Sequence, residues 1–229
     1  METCVHQSFG LLGRAKDPED VLRESQDPVG PLSDAPALVR ESTSFPYIYG
    51  YRFAYHEGKD GLTSPPATTE QILHPGSQGR QNFQAIDLSE YARSMETEGC
   101  RDIYQDTMGE FTLSLWLRKF NALIAQQVWE GWDGDRWIAA ECNNGREMAW
   151  LTSWDTEKDA VEFEEAVRGI AATLQSQTEL PSLSTTRDGK EAAIVSEGLR
   201  SRIFDVRNLA RRARVTSRTE LASHFARPQ

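Results

Sequence analysis

Trp137-Ile138-Ala139-Ala140-Glu141-Cys142-Asn143-Asn144-Gly145-Arg146-Glu147-Met148-Ala149-Trp150-Leu151-Thr152-Ser153-Trp154 is the stretch that decides the fold class. Two short apolar runs, Trp137–Cys142 and Met148–Trp154, flank Asn143-Asn144-Gly145. Asn-Gly is a strong hairpin signal because both residues tolerate positive φ. Upstream, Thr107-Met108-Gly109-Glu110 has the capping-box pattern, and Leu113, Trp116, Leu117, Phe120, Leu123, Ile124 and Val128 follow at helical spacing. That spacing predicts one helix of about six turns ending near Gly131. Downstream, Asp155 or Thr156 caps a second helix that places Ala160, Phe163, Val167, Ile170, Ala171 and Leu174 on one face. Helix, hairpin, helix is therefore the predicted core of the C-terminal half. After a polar linker over 175–190, Ala192–Val195 adds a third strand, and Ile203–Arg214 reads as a basic amphipathic helix. The predicted class is α+β: helices with a small antiparallel sheet.

The N-terminal half reads less regularly. Residues 1–34 form a leader in which Asp17 and Pro18 start one short helix. Tyr47, Tyr51 and Tyr55 share a face of a helix entered at Pro46. Residues 58–100 carry Gly58, Gly61, Pro65, Pro66, Pro75, Gly76 and Gly79, too much punctuation for long elements, so they are expected to be mostly loop. Within them Thr68 caps a single helical turn by accepting from the Gln71 amide, and Pro75 stops it. The expected organisation is a leader over 1–34, one α+β domain over 35–214 (loop-rich 58–100, helix–hairpin–helix 107–175, strand and basic helix 191–214) and a tail over 215–229.

Composition narrows the classes. The 229 residues carry a net charge of −10. From Arg187 onward ten Lys/Arg face five Asp/Glu, which leaves the preceding chain at −15. An acidic body disfavours nucleic acid as a partner. No stretch approaches the ~18 apolar residues of a membrane span, so no transmembrane segment is expected. The first residues lack a basic segment followed by an apolar one, which predicts a soluble, cytoplasmic chain. A missing true N-terminus would instead make it exported or surface-anchored. Cys4, Cys100 and Cys142 are expected to be reduced thiols; a Cys100–Cys142 bridge is the alternative if the protein is exported.

Several residues invite chemistry. His56-Glu57-Gly58-Lys59-Asp60 resembles the metallopeptidase helix His-Glu-x-x-His with Asp60 in the second ligand position, so His56, Glu57 and Asp60 are candidate zinc ligands. A polar helix end is the plainer reading. Glu70 and His74, one helical turn apart, form a candidate acid/base pair, against a structural role in pinning the loop. Asp133, Asp135 and Arg136 read as a tight turn with an Asp–Arg pair rather than a calcium loop. All six tryptophans lie between Trp116 and Trp154, either as core or as a stacking surface. Arg207 to Arg214 is a candidate phosphate or membrane contact, in competition with pairing to the acidic body.

Three phrases carry a resemblance: Pro65-Pro66-Ala67-Thr68-Thr69-Glu70-Gln71-Ile72-Leu73-His74-Pro75, Gly131-Trp132-Asp133-Gly134-Asp135-Arg136-Trp137 and Trp154-Asp155-Thr156-Glu157-Lys158-Asp159-Ala160. With Phe45-Pro46-Tyr47, Gly50 and Phe53 they resemble, over residues 35–196, a family of bacterial and haloarchaeal surface or lipid-anchored proteins. That family is zinc-metallopeptidase-like in its longer members. The resemblance marks Thr69, Glu70, His74, Trp132, Asp135, Arg136, Trp154 and Asp155 as its structural signature. The family's upstream His-Glu-x-x-His segment has no counterpart here, so its catalytic residues are not carried over and no cofactor is expected. What it implies is a non-catalytic, truncated relative acting as an interaction or accessory domain, with an unidentified protein partner. The alternatives are a metal-dependent hydrolase and an anion-binding module built on the basic C-terminal helix.

Overall fold

In the computed structural model the Asn-Gly hairpin stands at the centre of a five-stranded antiparallel sheet. The structure describes residues 17–24, 32–76, 82–120, 127–143, 145–177, 183–196, 203–216 and 218–225. The chain divides into two units, Met1–Gln78 and Gly79–Gln229.

The first unit is helical: α1 (Pro18–Glu24), α2 (Ala37–Thr63) and α3 (Thr69–Leu73). Asp17 caps α1, its carboxylate accepting from the Glu19 amide at 2.8 Å. The α2 helix starts at Ala37, well ahead of the expected entry at Pro46, and carries that proline inside it. It kinks at Gly58, whose φ of 57° and ψ of −130° are not helical. Thr68 accepts from the Gln71 amide as the sequence predicts, and the Gln71 side chain accepts in turn from the Ala67 amide at 2.6 Å. Two side chains of α2 fasten this loop. Arg52 donates to the Leu73 carbonyl at 2.9 Å, and Glu57 accepts from the Gly76 amide at 2.7 Å.

The second unit runs β1 (Phe83–Asp87), α4 (Ser89–Thr97), β2 (Arg101–Asp106), α5 (Gly109–Phe120), α6 (Gln127–Glu130), β3 (Trp132–Cys142) and β4 (Gly145–Trp154). It continues through α7 (Glu157–Gln177), β5 (Leu183–Asp188), β6 (Glu191–Ser196), α8 (Ile203–Leu209), β7 (Arg211–Val215) and α9 (Arg218–Phe225). The large sheet has the order β2-β3-β4-β6-β5, and β1 pairs with β7 in a separate two-stranded sheet. Cys142 pairs with Gly145 across the hairpin, the close register that a tight Asn-Gly turn sets.

Strand periodicity sorts the core into two layers. Trp150 and Ile194 point to one face, with Leu113 and Leu117 of α5 and Ala160, Phe163 and Val167 of α7. Ile138, Ala149, Leu151 and Val195 point to the other, against Tyr91 and Met95 of α4 and Val206 of α8. The fold is α+β, with helices on both faces of the central sheet.

Three expectations are corrected. The 58–100 stretch is not mostly loop, since it holds the end of α2 as well as α3, β1 and α4. Leu88, Tyr91, Ala92 and Met95 recur at helical spacing and are all buried, and Asp87 supplies a start signal by accepting from the Ser89 amide at 2.9 Å. Helices α5 and α6 fall within the span of the expected six-turn helix, and residues 121–126, with Leu123 and Ile124, lie outside the described residues. The polar linker over 175–190 includes strand β5. The basic amphipathic helix over Ile203–Arg214 is a short helix followed by strand β7, whose arginines alternate across a β ribbon.

The β ribbon meets β3 at Gly134. A Cβ there would fall 2.0 Å from the Gln84 carbonyl oxygen of β1, a backbone atom that cannot step aside. Gly134→Ala is therefore expected to cost about 2–3 kcal/mol of overpacking, the upper part of the usual range. Gly169→Ala, in α7 with open space around it, is expected to be neutral or stabilising by up to about 1 kcal/mol through helix propensity. Urea denaturation of the two variants checks both the sign and the contrast.

Candidate functional site

The phrase Gly131–Trp137 opens β3, and its residues share one junction. Asp135 is buried and its carboxylate accepts from four N–H donors. Oδ1 takes the Gly109 amide at 2.9 Å and the Trp132 indole at 3.0 Å. Oδ2 takes the Met108 amide at 2.9 Å and the Trp150 indole at 3.0 Å. Burial pushes this carboxyl above its usual range, and the backbone and indole donors draw it back. The two amides belong to the entry of α5, so Asp135 caps that helix from 26 residues away in sequence. The expected capping box on Thr107 is replaced by this long-range cap. The Thr107 hydroxyl instead donates to the Asp135 carbonyl at 3.2 Å.

The neighbouring residues are committed in the same way. Asp133 forms an ion pair with Arg214 of β7; burial raises its carboxyl, and the guanidinium lowers it. The expected Asp–Arg turn therefore spans two sheets, while Arg136 donates to the Thr107 hydroxyl at 3.4 Å. Gly131 lies under the Asp159 carboxylate, so a Cβ there would approach the Asp159 Cγ to 2.4 Å. Its carbonyl accepts from the Asp155 amide at 2.8 Å. Thr156 and Asp159 cap α7 reciprocally, at 3.2 Å and 3.0 Å. The buried Trp154 donates its indole to Thr152 at 2.9 Å.

Beside this junction the sheet is open. The face of β3 and β4 that carries Trp137, Ala139, Met148 and Trp150 forms one wall of a cleft of about 800 Å³, with Thr112 and Trp116 of α5 opposite. Trp116 meets Trp150 edge to face at 5.6 Å, and Tyr104 of β2, 58% exposed, lies 5.3 Å from Trp137. Asp106 and the Glu141–Arg146 ion pair, 2.6 Å long, stand among the lining residues. The tryptophan cluster is thus divided. Trp132 and Trp154 are core, Trp116 and Trp137 line the cleft, and Trp150 serves both because Asp135 fixes its indole.

The candidates read from the sequence fall elsewhere. His56, Glu57 and Asp60 lie on α2, but the Gly58 kink separates His56 from Asp60 and removes the shared helix face that a paired ligand set needs. The His56 ring packs edge-on against Tyr55, and Glu57 holds Gly76. Glu70 is buried in α3 and His74 is its C-cap, its amide donating to the Glu70 carbonyl at 3.0 Å. Thr69 opens the same turn. The β7 arginines meet the body's own acids. Arg211 pairs with Glu90, Arg212 with Glu191 at 2.9 Å, and Arg214 with Asp133. The expectation of reduced thiols is overturned: Cys100 and Cys142 form a disulfide that ties the start of β2 to the end of β3. Among the described residues the one cluster of three or more metal-ligating side chains is Cys100, Cys142 and Glu147, and no helix is long and apolar enough to cross a membrane.

Residues 96–215 match the family described as a domain of unknown function (DUF8575), and the chain belongs to that family. The match runs from within α4 to the end of β7. It takes in the whole five-stranded sheet, the Asp135 junction and the cleft. No curated protein and no solved structure matches the chain.

Removing the Asp135 carboxylate leaves four buried donors without an acceptor. Asp135→Ala is expected to cost about 3–5 kcal/mol, in the range of breaking a buried charged hydrogen-bond network. Asp135→Asn, which turns an NH2 toward two of the donors, should cost about 2–3 kcal/mol. Denaturant midpoints measure the loss, and a collapse of the near-ultraviolet tryptophan signal should accompany it.

Proposed function

We propose that this member of the DUF8575 family is a non-catalytic binding domain, an interaction or accessory unit that docks an apolar or aromatic group in the cleft between the central sheet and α5. The observation that carries this reading is the cleft itself, about 800 Å³ and walled by Trp116, Trp137, Met148 and Trp150. Small-ligand sites are commonly concavities of ~300–1,000 Å³ with aromatic walls and few polar groups. Partly buried indoles beside a 58% exposed tyrosine give the cleft a contiguous aromatic surface that a ligand would cover.

The resemblance to peptidase-like surface proteins then speaks of ancestry rather than activity. Its phrases supply helix caps and a buried carboxylate junction, and Glu57, one of the candidate ligands, is engaged in holding the loop at Gly76. The Cys100–Cys142 bridge supports an exported or surface location, because disulfides persist in oxidising compartments and are rare in reducing ones.

A neutral, environment-sensitive dye such as Nile red tests this reading. Saturable one-to-one binding with blue-shifted emission is expected. Trp137→Ala should weaken it by about tenfold, the scale of one aromatic stacking contact with its buried area, while leaving the melting temperature close to that of the parent. Absence of saturable binding, or equal binding by Trp137→Ala, would contradict the proposal. So would peptide hydrolysis together with stoichiometric zinc that is lost on His56→Ala.

A further inference from the structure

At the hairpin end of the central sheet, three side chains of types that ligate zinc converge. Cys100 precedes β2, Cys142 ends β3, and Glu147 follows the hairpin turn on β4. One Sγ from each cysteine and one carboxylate oxygen of Glu147 all lie within 4.8 Å of one another. The register explains the meeting. Glu147 pairs with Ala140, so it shares the face of Ala140 and Cys142, and Cys100 adjoins the Arg101–Glu141 pair. Cys100 is buried, and Cys142 and Glu147 are half-buried.

One carboxylate oxygen of Glu147 is unmatched beside the bridge. This atom, Oε2, is out of solvent and has no hydrogen-bond partner among the described residues. A shielded carboxylate oxygen without a donor is unfavourable by the desolvation of that group, and such atoms in native proteins are few. A cation is the partner that its position beside two sulfurs would suit.

The backbone around the bridge is irregular. Gly99 has a φ of 85°, Asp102 has a φ of 51°, and the β2–β3 register shifts between Arg101 and Tyr104. Cys142 abuts the hairpin turn. Two thiolates on one tetrahedral zinc stand about 3.8 Å apart, from a Zn–S distance of ~2.3 Å. A modest separation of the chain ends at Cys100 and Cys142 reaches that spacing.

We propose that two-electron reduction of the Cys100–Cys142 bridge converts Cys100, Cys142 and Glu147 into a site for a thiophilic divalent cation, zinc above all, so that disulfide and metal occupy one place in alternation. A dithiol reductant supplies the two electrons and two protons: the S–S bond breaks, two thiols form, and the reductant closes to its own disulfide. Metal binding then releases the two thiol protons. Two thiolates and the Glu147 carboxylate hold the ion, and water takes the fourth position. The metal-bound form fastens the β2 and β3 ends that the disulfide fastens when oxidised. A redox change thereby exchanges one cross-link for another instead of leaving the sheet edge loose.

The full chain in a Cys4→Ser background, so that two thiols remain, tests the proposal. After reduction with a phosphine and its removal without air, cobalt(II) is titrated as the probe. The expected result is one equivalent bound with thiolate-to-cobalt charge-transfer absorption, displaced by one equivalent of zinc. The oxidised protein should bind none, and Cys142→Ser should lose the charge-transfer band. Glu147→Gln should bind at least about tenfold more weakly while still titrating two thiols; outer-shell partners alone contribute that much. Reduced protein with two titratable thiols and no cobalt band would overturn the proposal without any variant being needed. Equal affinity in Glu147→Gln, or in the oxidised protein, would overturn it as well.

Discussion

The carboxylate of Asp135 is where the second unit is tied together. Its four acceptor positions take two amides from the entry of α5, one indole from its own strand and one from the neighbouring strand. A buried carboxylate is costly in an apolar setting, and here neutral N–H groups rather than a cation offset that cost. Those donors come from three elements, so the charge can be buried only when all three are in place. The same contact fixes where α5 begins and how Trp150 is turned, and it sets the spacing between helix and sheet.

The cleft follows from that spacing. Trp150 is held by its indole nitrogen, and its ring meets both Trp116 and Phe163 edge to face, each at 5.6 Å. The α5 helix starts beside β3 and α7 packs against the same sheet face, while Trp116 and Trp137 remain half-exposed between them. On the proposed reading, the family phrase does not touch a ligand. It positions the strand and the helix whose side chains do. The ion pairs of β7 fit the same picture, because Arg214 reaches Asp133 two residues before the junction and brings the β1–β7 ribbon against the start of β3. The basic segment that looks available to an external anion is neutralised within the chain.

Much of the central fold was legible where a local rule decides it. Asn143-Asn144-Gly145 specifies the hairpin, Thr156 and Asp159 announce α7, and the Ala192–Val195 run is a strand. What was missed depends on contacts remote in sequence. The cap of α5 comes from Asp135, so the nearby Thr107 and Glu110 looked like the signal. Arg211 to Val215 has a helical charge pattern in isolation, yet pairing with Phe83–Asp87 makes it a strand. The α4 helix had a readable period in Leu88, Tyr91 and Met95 that glycine and proline on either side obscured. For the site, the tryptophan cluster was the useful clue, and the alternation of Asp135 with Trp137 on one strand face was its unread part. An acid between indoles on an apolar face has few donors available except indole and backbone N–H. His56 and Glu57 drew attention through motif similarity, but Gly58 breaks the helix on which that geometry depends.

The most direct test of this account is hydrogen exchange at the tryptophan indoles, read by nuclear magnetic resonance with each Nε1–H assigned through single variants. The indole protons of Trp132 and Trp150 are expected to be among the slowest to exchange, and both resonances to shift on Asp135→Asn, while that of Trp137 exchanges fast. Rapid exchange at Trp132 and Trp150, comparable with that of Trp137, would contradict the claim that a buried carboxylate gathers these elements into one junction.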